Sequence, residues 1–148
     1  MITQRDIDDF KKPVPDRMPR ISSILEMVRD FAKKMDQPLD KVWPTSLKLE
    51  DFRWGLIQEE YGEAFDESCN RNNPENMLKE CLDLLAVTVG YCATYGWDVE
   101  EGFRRVHQSN MSKLGLDGKP INNSEGKVLK GPNYQPANLS DLVRTNNE

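Results

Sequence analysis

Four of the acidic residues in the chain form two pairs that have the same spacing. Glu60 and Glu63 are three residues apart, as are Glu80 and Asp83, and Glu59 directly precedes the first pair. Residues three apart lie on the same face of an α-helix, so the members of each pair can act together. Carboxylate oxygens are the ligands that hard cations such as Mg²⁺ and Mn²⁺ prefer. The pattern therefore indicates a divalent cation site.

The second pair lies in a strongly apolar segment. From Glu80 to Trp97 the only charged residues are Glu80 and Asp83 themselves. A helix that is apolar all round is buried, and buried charges need partners. No run of Arg or Lys on this segment could neutralise the two acids, so we expect a cation beside them. Cys81 and Cys92, in the same segment, are expected to be buried free thiols.

Four helices are predicted to position these acids, because apolar residues recur at helical spacing in four segments separated by Pro, Gly and Asn. The predicted segments are about Arg20 to Met35, Ser46 or Leu47 to Cys69, Glu75 to Tyr95, and Asp98 to Leu114. The second helix is expected to use Leu49, Phe52 and Leu56 as its core stripe. Ser46 and Asp98 have the positions of N-caps, and Gly96 ends the third helix.

The segment after Leu114 differs from the helices. It is rich in Gly, Pro and Asn, with turns predicted at Asp117-Gly118 and Glu125-Gly126. Ile121 and Val128-Leu129 can form a short hairpin between them. We therefore divide the chain into an extended arm at 1–19, one domain at 20–136 and a C-terminal tail at 137–148, which is expected to be frayed from about Ser140 onward.

Composition excludes several classes of protein. The chain has 148 residues and a net charge of -5, which argues against binding nucleic acid through a broad basic face. Its single His and three Cys without a CxxC spacing argue against a zinc site. There is no apolar run long enough to span a membrane and no signal peptide at the N-terminus, so a cytoplasmic protein is expected.

The acid pairs resemble the signature of the all-alpha nucleotide pyrophosphohydrolases, the superfamily of MazG, dimeric dUTPases and phosphoribosyl-ATP pyrophosphohydrolase. Residues 59–63 read EEYGE, matching the usual EExxE form. Three later stretches resemble a phage and bacterial MazG-like branch, namely VHQSNMSK at 106–113, DGKPI at 117–121 and KGPNYQP at 130–136. The resemblance implies an all-α four-helix bundle with a short C-terminal hairpin or flap.

The resemblance also implies an activity, the Mg²⁺-dependent cleavage of a nucleoside triphosphate to a monophosphate and pyrophosphate. The implied metal ligands are Glu60, Glu63, Glu80 and Asp83. Glu59 would bind a second metal or position the attacking water, and Glu59 and Glu60 are the catalytic carboxylates. Mn²⁺ could replace Mg²⁺. Homodimers or homotetramers are implied, with active sites near subunit contacts.

Six further residues are candidates for binding substrate. Asn110 and Lys113 are three apart near the end of the fourth helix, where they could contact phosphates, and Lys113 is also a candidate for catalysis. Lys130 and Tyr134 fall in the matching flap segment. Arg53 could reach a phosphate or the acids, and Trp54 is the candidate for stacking on the base. Surface or core packing is the structural alternative for each.

Other functions and substrates remain open. A di-iron bundle needs Glu-x-x-His pairs, which the single histidine, His107, cannot supply. A helical interaction module would leave Glu80 and Asp83 without a purpose. A nucleotide-binding regulator would keep the site but would not turn over its ligand. Among substrates, a deoxynucleoside triphosphate in nucleotide-pool control is favoured, with dGTP as one candidate. Phosphoribosyl-ATP is less favoured, because a stand-alone biosynthetic enzyme would normally be shorter and lack the flap.

Overall fold

Four α-helices follow one another in residues 23–143, the part of the chain that the computed structural model describes. They are α1 (Ile24–Lys34), α2 (Leu47–Asn70), α3 (Pro74–Thr94) and α4 (Val99–Met111), and a single 3-10 turn follows at Ser140–Leu142. No strand occurs in this part of the chain, so the prediction of an all-α fold is confirmed. The arm at 1–19 lies outside the described residues.

Short polar side chains fix where all four helices begin, and at α3 the Asn73 side chain accepts the Asn76 N–H. The Ser46 side chain accepts the Leu49 N–H, and the Asp98 side chain accepts the Glu101 N–H, so both predicted N-caps are confirmed. Ser23 caps α1 in the same way, so this helix begins at Ile24 and the predicted start near Arg20 was too early. A capping side chain satisfies a backbone N–H that has no partner within the helix.

Helices α3 and α4 end close to, but not at, the residues that the sequence predicts. Gly96 has a φ of +66°, which ends the chain's helical path after α3. The fourth helix ends at Met111, earlier than the predicted Leu114. There the chain turns away, and the Lys113 carbonyl accepts the Gly131 N–H at 3.0 Å.

The two longest helices, α2 and α3, pack against each other, and α1 packs against α3. A loop of only three residues joins α2 to α3, so the two helices run antiparallel. The loop after α1 is fixed to the end of α3, where the Lys41 N–H donates to the Thr94 carbonyl at 2.7 Å.

A single chain buries little apolar surface among its described residues. The buried apolar residues are Ala32, Ala64, Val89, Ala93 and Tyr95. The expectation that the acid-bearing segment 80–97 is buried all round is wrong for one chain, because Leu82 is 52% exposed and Leu85 is 39% exposed. Cys81 is exposed and Cys92 is partly buried, so the prediction of buried thiols fails for Cys81.

The contact face of α2 differs from the predicted stripe by one position. Phe52 is 50% exposed, whereas the neighbouring Arg53 is only 4% exposed. Arg53 follows Leu49 by four residues and precedes Leu56 by three, so these three residues share one side of the helix. That side faces α1 and α3, and the charged Arg53 takes the place that Phe52 was expected to fill.

The C-terminal segment forms the predicted hairpin and then binds back to α4. The Leu129 N–H donates to the Ile121 carbonyl at 2.7 Å, which pairs the two arms of the hairpin. Further along, Arg105 contacts Asp141 at 2.5 Å and the Asn138 carbonyl at 3.0 Å. The predicted frayed tail is therefore wrong as far as Val143, and residues 144–148 lie outside the described part.

Candidate metal and nucleotide site

Three carboxylates from two helices meet between α2 and α3. Glu60 and Glu63 come from α2 and Glu80 comes from α3, and one oxygen of each lies within 4.8 Å of the others. The antiparallel pairing of the helices brings them together, since each helix offers its acids at the same level. Glu80 is buried, Glu60 is partly buried and Glu63 is exposed. The cluster is therefore open to solvent on one side.

The surroundings of Glu60 disfavour its charged form. Burial raises the pKa of Glu60, and the neighbouring charges of Glu63, Asp83 and Glu59 raise it further. Each effect disfavours the charged carboxylate, because it lacks water and faces other negative charges. A cation bound among these oxygens would instead favour the charged carboxylate.

Asp83 and Lys79 form an ion pair at the edge of the cluster. Lys79 Nζ lies 2.7 Å from Asp83 Oδ2 and 3.1 Å from Glu80 Oε1. The expectation that no cation on this helix could neutralise the acids is therefore wrong. Lys79 directly precedes the apolar segment 80–97. Its spacing of four residues from Asp83 is the sequence pattern that predicts the ion pair.

The donor set fits a hard divalent cation. All the candidate ligands are carboxylate oxygens, and two ligands of one octahedral Mg²⁺ stand about 3 to 4 Å apart. The oxygens of Glu60, Glu63 and Glu80 are close to that spacing, so small side-chain movements would close the site. Asp83 could join them once it leaves Lys79. Glu59 is exposed beside the cluster.

Arg53 lies in the wall of a cavity between α1, α2 and α3. Its Nη1 donates to the Gln37 side-chain oxygen at 3.1 Å and its Nη2 to the Pro38 carbonyl at 3.5 Å. Its Nε has no hydrogen-bond partner. Burial lowers the pKa of Arg53. The cavity beside it has a volume of about 440 Å³.

Trp54 lies on a different side of α2, at the edge of an aromatic cluster. It is 56% exposed, and its ring meets Tyr91 edge-on at 6.4 Å between centroids. Tyr91 donates to Glu50 Oε2 at 2.9 Å, and Tyr95 donates to the other oxygen of Glu50. Sequence reasoning missed Glu50 and the two tyrosines. The sequence pattern that could have identified them is the spacing of four residues between Tyr91 and Tyr95, near the end of α3.

The four candidate phosphate-binding residues gather at the far end of α4. Lys113 Nζ donates to Asn110 Oδ1 at 2.8 Å, and Lys130 Nζ lies 4.5 Å from the centre of the Tyr134 ring. No hydrogen bond or ion pair among residues 23–143 joins this group to the acid cluster. Within one chain, the phosphate-binding candidates and the metal candidates form separate groups.

Four helices with an acid cluster between the second and third are the arrangement expected of the all-alpha nucleotide pyrophosphohydrolases. A family model described as phosphoribosyl-ATP pyrophosphohydrolase matches residues 28–110, which is more than half of the chain. The chain therefore belongs to the phosphoribosyl-ATP pyrophosphohydrolase family, within the MazG-like superfamily that the sequence resembles. No curated protein matches the chain.

Membership of the family establishes the general type of reaction. The protein is a pyrophosphohydrolase, an enzyme that acts on acid anhydrides, and the family typically depends on a divalent metal. The acid cluster is consistent with that dependence. As for membranes, none of the helices within residues 23–143 has the length and apolar character that crossing one would need.

Proposed function

We propose that the protein is a Mg²⁺-dependent nucleoside triphosphate pyrophosphohydrolase that converts a (d)NTP and water to a (d)NMP and pyrophosphate. One observation carries the proposal, the convergence of Glu60, Glu63 and Glu80 within 4.8 Å in a chain of this family. Deoxynucleotides and a role in nucleotide-pool control are the favoured substrate and setting. The three free cysteines support a reducing compartment such as the cytoplasm.

The acids have two roles in the proposed reaction, metal binding and activation of water. Glu60, Glu63, Glu80 and Asp83 would hold Mg²⁺, which when bound neutralises phosphate charge and makes water a better nucleophile. Glu59, which is exposed beside them, would orient the attacking water and accept its proton. Attack in line at the α-phosphorus breaks the bond to the β-phosphate, so pyrophosphate leaves and the monophosphate remains.

A second copy of the chain is proposed to complete the enzyme as a homodimer or homotetramer. Helix α4 has no buried residue, and its Phe103 is 72% exposed. Exposed apolar side chains on one helix face favour a partner of the same kind, since most soluble oligomers are symmetric. The partner would also bring Asn110, Lys113, Lys130 and Tyr134 to the acids of its neighbour.

Light scattering in solution tests this assembly. We expect at least a dimer for the natural chain and a monomer for Leu82→Glu, because Leu82 is exposed on α3. A monomeric natural chain would contradict the assembly. It would also require that the flap closes over the acids of its own chain.

Phosphoribosyl-ATP is the second candidate substrate, and the family match to residues 28–110 favours it. It presents the same bond, an anhydride between α- and β-phosphates, to the same acids. A non-catalytic nucleotide-binding or helical interaction module is the alternative outside enzymes. The substrate panel below separates all three.

The test is a product analysis across substrates and metals. The purified protein is incubated with each common NTP, each dNTP and phosphoribosyl-ATP, in Mg²⁺, Mn²⁺ or EDTA. We expect metal-dependent formation of monophosphate and pyrophosphate, abolished by Glu60→Gln and by Asp83→Asn. Glu75→Gln is the matched control, because Glu75 is an exposed acid on α3 outside the cluster.

Three results would point elsewhere. Turnover of phosphoribosyl-ATP alone would replace the nucleotide-pool role with a biosynthetic one. Diphosphate and phosphate as products would show attack at a different phosphorus. No turnover of any substrate by the folded protein with Mg²⁺ would contradict the proposed enzyme and favour the binding module.

A further inference from the structure

The cavity between α1, α2 and α3 combines apolar walls with one polar end. Its volume is about 440 Å³, and its walls include Val28, Leu56 and Val87. Arg53 and Gln37 form the polar end. This size and composition are typical of a small-molecule site, in which apolar walls hold a ligand and a few polar groups select it.

Arg53 is a buried charge that nothing in the described chain neutralises. It is 4% exposed, and no carboxylate among residues 23–143 forms an ion pair with it. Its two hydrogen bonds go to neutral oxygens, of Gln37 and Pro38, and its Nε has no partner. A buried charge and a buried donor without a partner both destabilise a protein. A ligand that brings acceptors to the remaining N–H groups of Nη1 and Nη2 would lower the cost of the buried charge.

The polar end of the cavity offers donors only. An arginine side chain has five N–H donors and no acceptor. The Gln37 side-chain oxygen is already used by Arg53, which leaves the Gln37 amide N–H groups as donors. A ligand that fits here presents acceptors along its edge and no N–H group toward Arg53.

The cavity lies beside the acid cluster at the distance that a nucleotide needs. Arg53 and Glu60 are seven residues apart on one helix face, which corresponds to about 10 Å along α2. Leu56 lies one turn before Glu60, and on α3 the cavity wall Ala86 lies three residues after Asp83. A triphosphate at the acids would therefore place its ribose at the mouth of the cavity and its base inside.

We propose that this cavity binds the substrate's base, and that Arg53 and Gln37 select a 6-oxopurine, the base of guanine and hypoxanthine nucleotides. The inference deepens the proposed function and rests on it. Arginine pairs with the O6 and N7 acceptors of guanine through two parallel hydrogen bonds. Adenine presents an amino group in place of O6. Cytosine has neighbouring acceptors at O2 and N3, but its O2 lies beside the glycosidic bond, so the end of the ring that is far from the ribose carries the amino group. Both bases therefore oppose a donor with a donor. Uracil and thymine offer one carbonyl where guanine offers two neighbouring acceptors.

Binding of monophosphates in EDTA tests the cavity without turnover. GMP, IMP, AMP, CMP and UMP are titrated against the natural chain by calorimetry. We expect GMP and IMP to bind at least about tenfold more tightly than the other three, as a lost bidentate pair typically costs. Equal affinities, or a preference for AMP, would overturn the inference.

Two variants assign the preference to Arg53. Arg53→Lys keeps the charge but loses the planar pair of donors, so the preference for GMP over AMP should fall by about tenfold or more. Because Arg53 is buried, this variant could unfold, and Gln37→Glu provides a second route. Its new carboxylate would pair with Arg53 and occupy the donors, so the fold should survive while the preference is lost.

Trp54→Ala discriminates between the two places for the base. Trp54 lies on another side of α2 from Arg53, so the base contacts one or the other. Under the inference, Trp54→Ala leaves the ranking of the five monophosphates unchanged. A ranking that changes in Trp54→Ala and survives in Gln37→Glu would move the base to the aromatic cluster and overturn the inference.

The inference and the proposed function fail in different ways. A preference for GMP in EDTA with no turnover of any substrate of the panel in Mg²⁺ would contradict the enzyme and leave the cavity as a guanine site. Turnover with equal kcat/KM for guanine and adenine nucleotides would support the enzyme and overturn the cavity's role in selection.

Discussion

The Lys79 ammonium group lies 2.7 Å from Asp83 Oδ2, one turn further along the same helix. It also lies 3.1 Å from Glu80, the buried member of the acid cluster. The hydrogen bonds to Asp83 and Glu80 raise the pKa of Lys79 further above its ordinary value, so the amine stays charged. Lys79 is therefore an internal cation beside the site where a metal would bind, and the two cations compete.

Replacing Lys79 by Met should strengthen Mg²⁺ binding. Without the lysine, Asp83 and Glu80 are free to bind the ion, and we expect the apparent Kd for Mg²⁺ to fall about two- to fivefold, as an exposed pair allows. The metal-free protein should melt at a lower temperature, because the acids lose their counter-charge. Calorimetric titration and thermal melts measure the two effects.

Lys34→Met is the matched control for this variant. Lys34 pairs with Asp30 at 2.7 Å and the same spacing of four residues, but on α1. It should leave the Kd for Mg²⁺ unchanged. Equal effects of both variants on Mg²⁺ binding would show that Lys79 acts only through the net charge.

Replacing Glu60 by Gln should stabilise the metal-free protein. Burial and neighbouring acids raise the pKa of Glu60, so its charged form opposes folding at neutral pH. That opposition weakens as the pH falls through the raised pKa, because the folded state binds the proton more tightly. We expect a melting temperature about 2 to 5 °C higher in EDTA, and loss of the rise that Mg²⁺ produces in the natural chain.

The pH dependence supplies the check on Glu60. The difference in melting temperature between Glu60→Gln and the natural chain should shrink as the pH is lowered, since Glu60 itself becomes neutral. A difference that is constant with pH would show that the amide acts through packing or hydrogen bonding.

Replacing Tyr95 by Phe should destabilise the α2–α3 pair. Tyr95 is 1% exposed, and its hydroxyl donates to Glu50, which Tyr91 also contacts. Loss of a hydrogen bond to a charged acceptor should lower the free energy of unfolding by about 1 to 3 kcal/mol. Urea denaturation measures it, with Tyr61→Phe as control, because Tyr61 is 61% exposed.

Alkaline pH should remove the stabilisation by the Tyr95–Glu50 hydrogen bond from the natural chain. Burial, with the hydrogen bond to Glu50, raises the pKa of Tyr95 to about 12 from an ordinary value of 10.0. The stabilisation of the folded state by this hydrogen bond is complete below pH 10 and is lost as the pH rises toward 12. Tyr95→Phe should lack this loss, so the two stability curves converge in that window. Parallel curves would contradict the assignment.

Replacing Arg105 by Met should release the C-terminal segment from α4. Arg105 joins Glu101 on the helix to Asp141 and the Asn138 carbonyl beyond the flap. We expect amide hydrogen exchange across 138–143 to speed up by about tenfold or more. Arg104→Met is the control, because within residues 23–143 the only acid that pairs with Arg104 is Glu101. Faster exchange in both variants would show that Glu101, rather than the bridge to Asp141, fixes the segment.

The sequence by itself determined the elements and the residues that carry the chemistry. Helix starts at Ser46 and Asp98 depend on a capping side chain two or three residues from its backbone partner, so they are local and were predictable. The spacing of three in Glu60–Glu63 and Glu80–Asp83 is equally local. It placed each pair on one helix face before any packing was known.

Only the tertiary structure decided which of those residues meet. The register between α2 and α3 joins Glu80 to Glu60 and Glu63, while Asp83 remains with Lys79. The same register turns Arg53 inward and Phe52 outward, a difference of one residue that periodicity alone does not resolve. The cavity beside Arg53 requires a third helix, α1, to close it. Contacts between distant segments fix these features, because burial depends on what packs against a face, and one helix's sequence does not contain its neighbour.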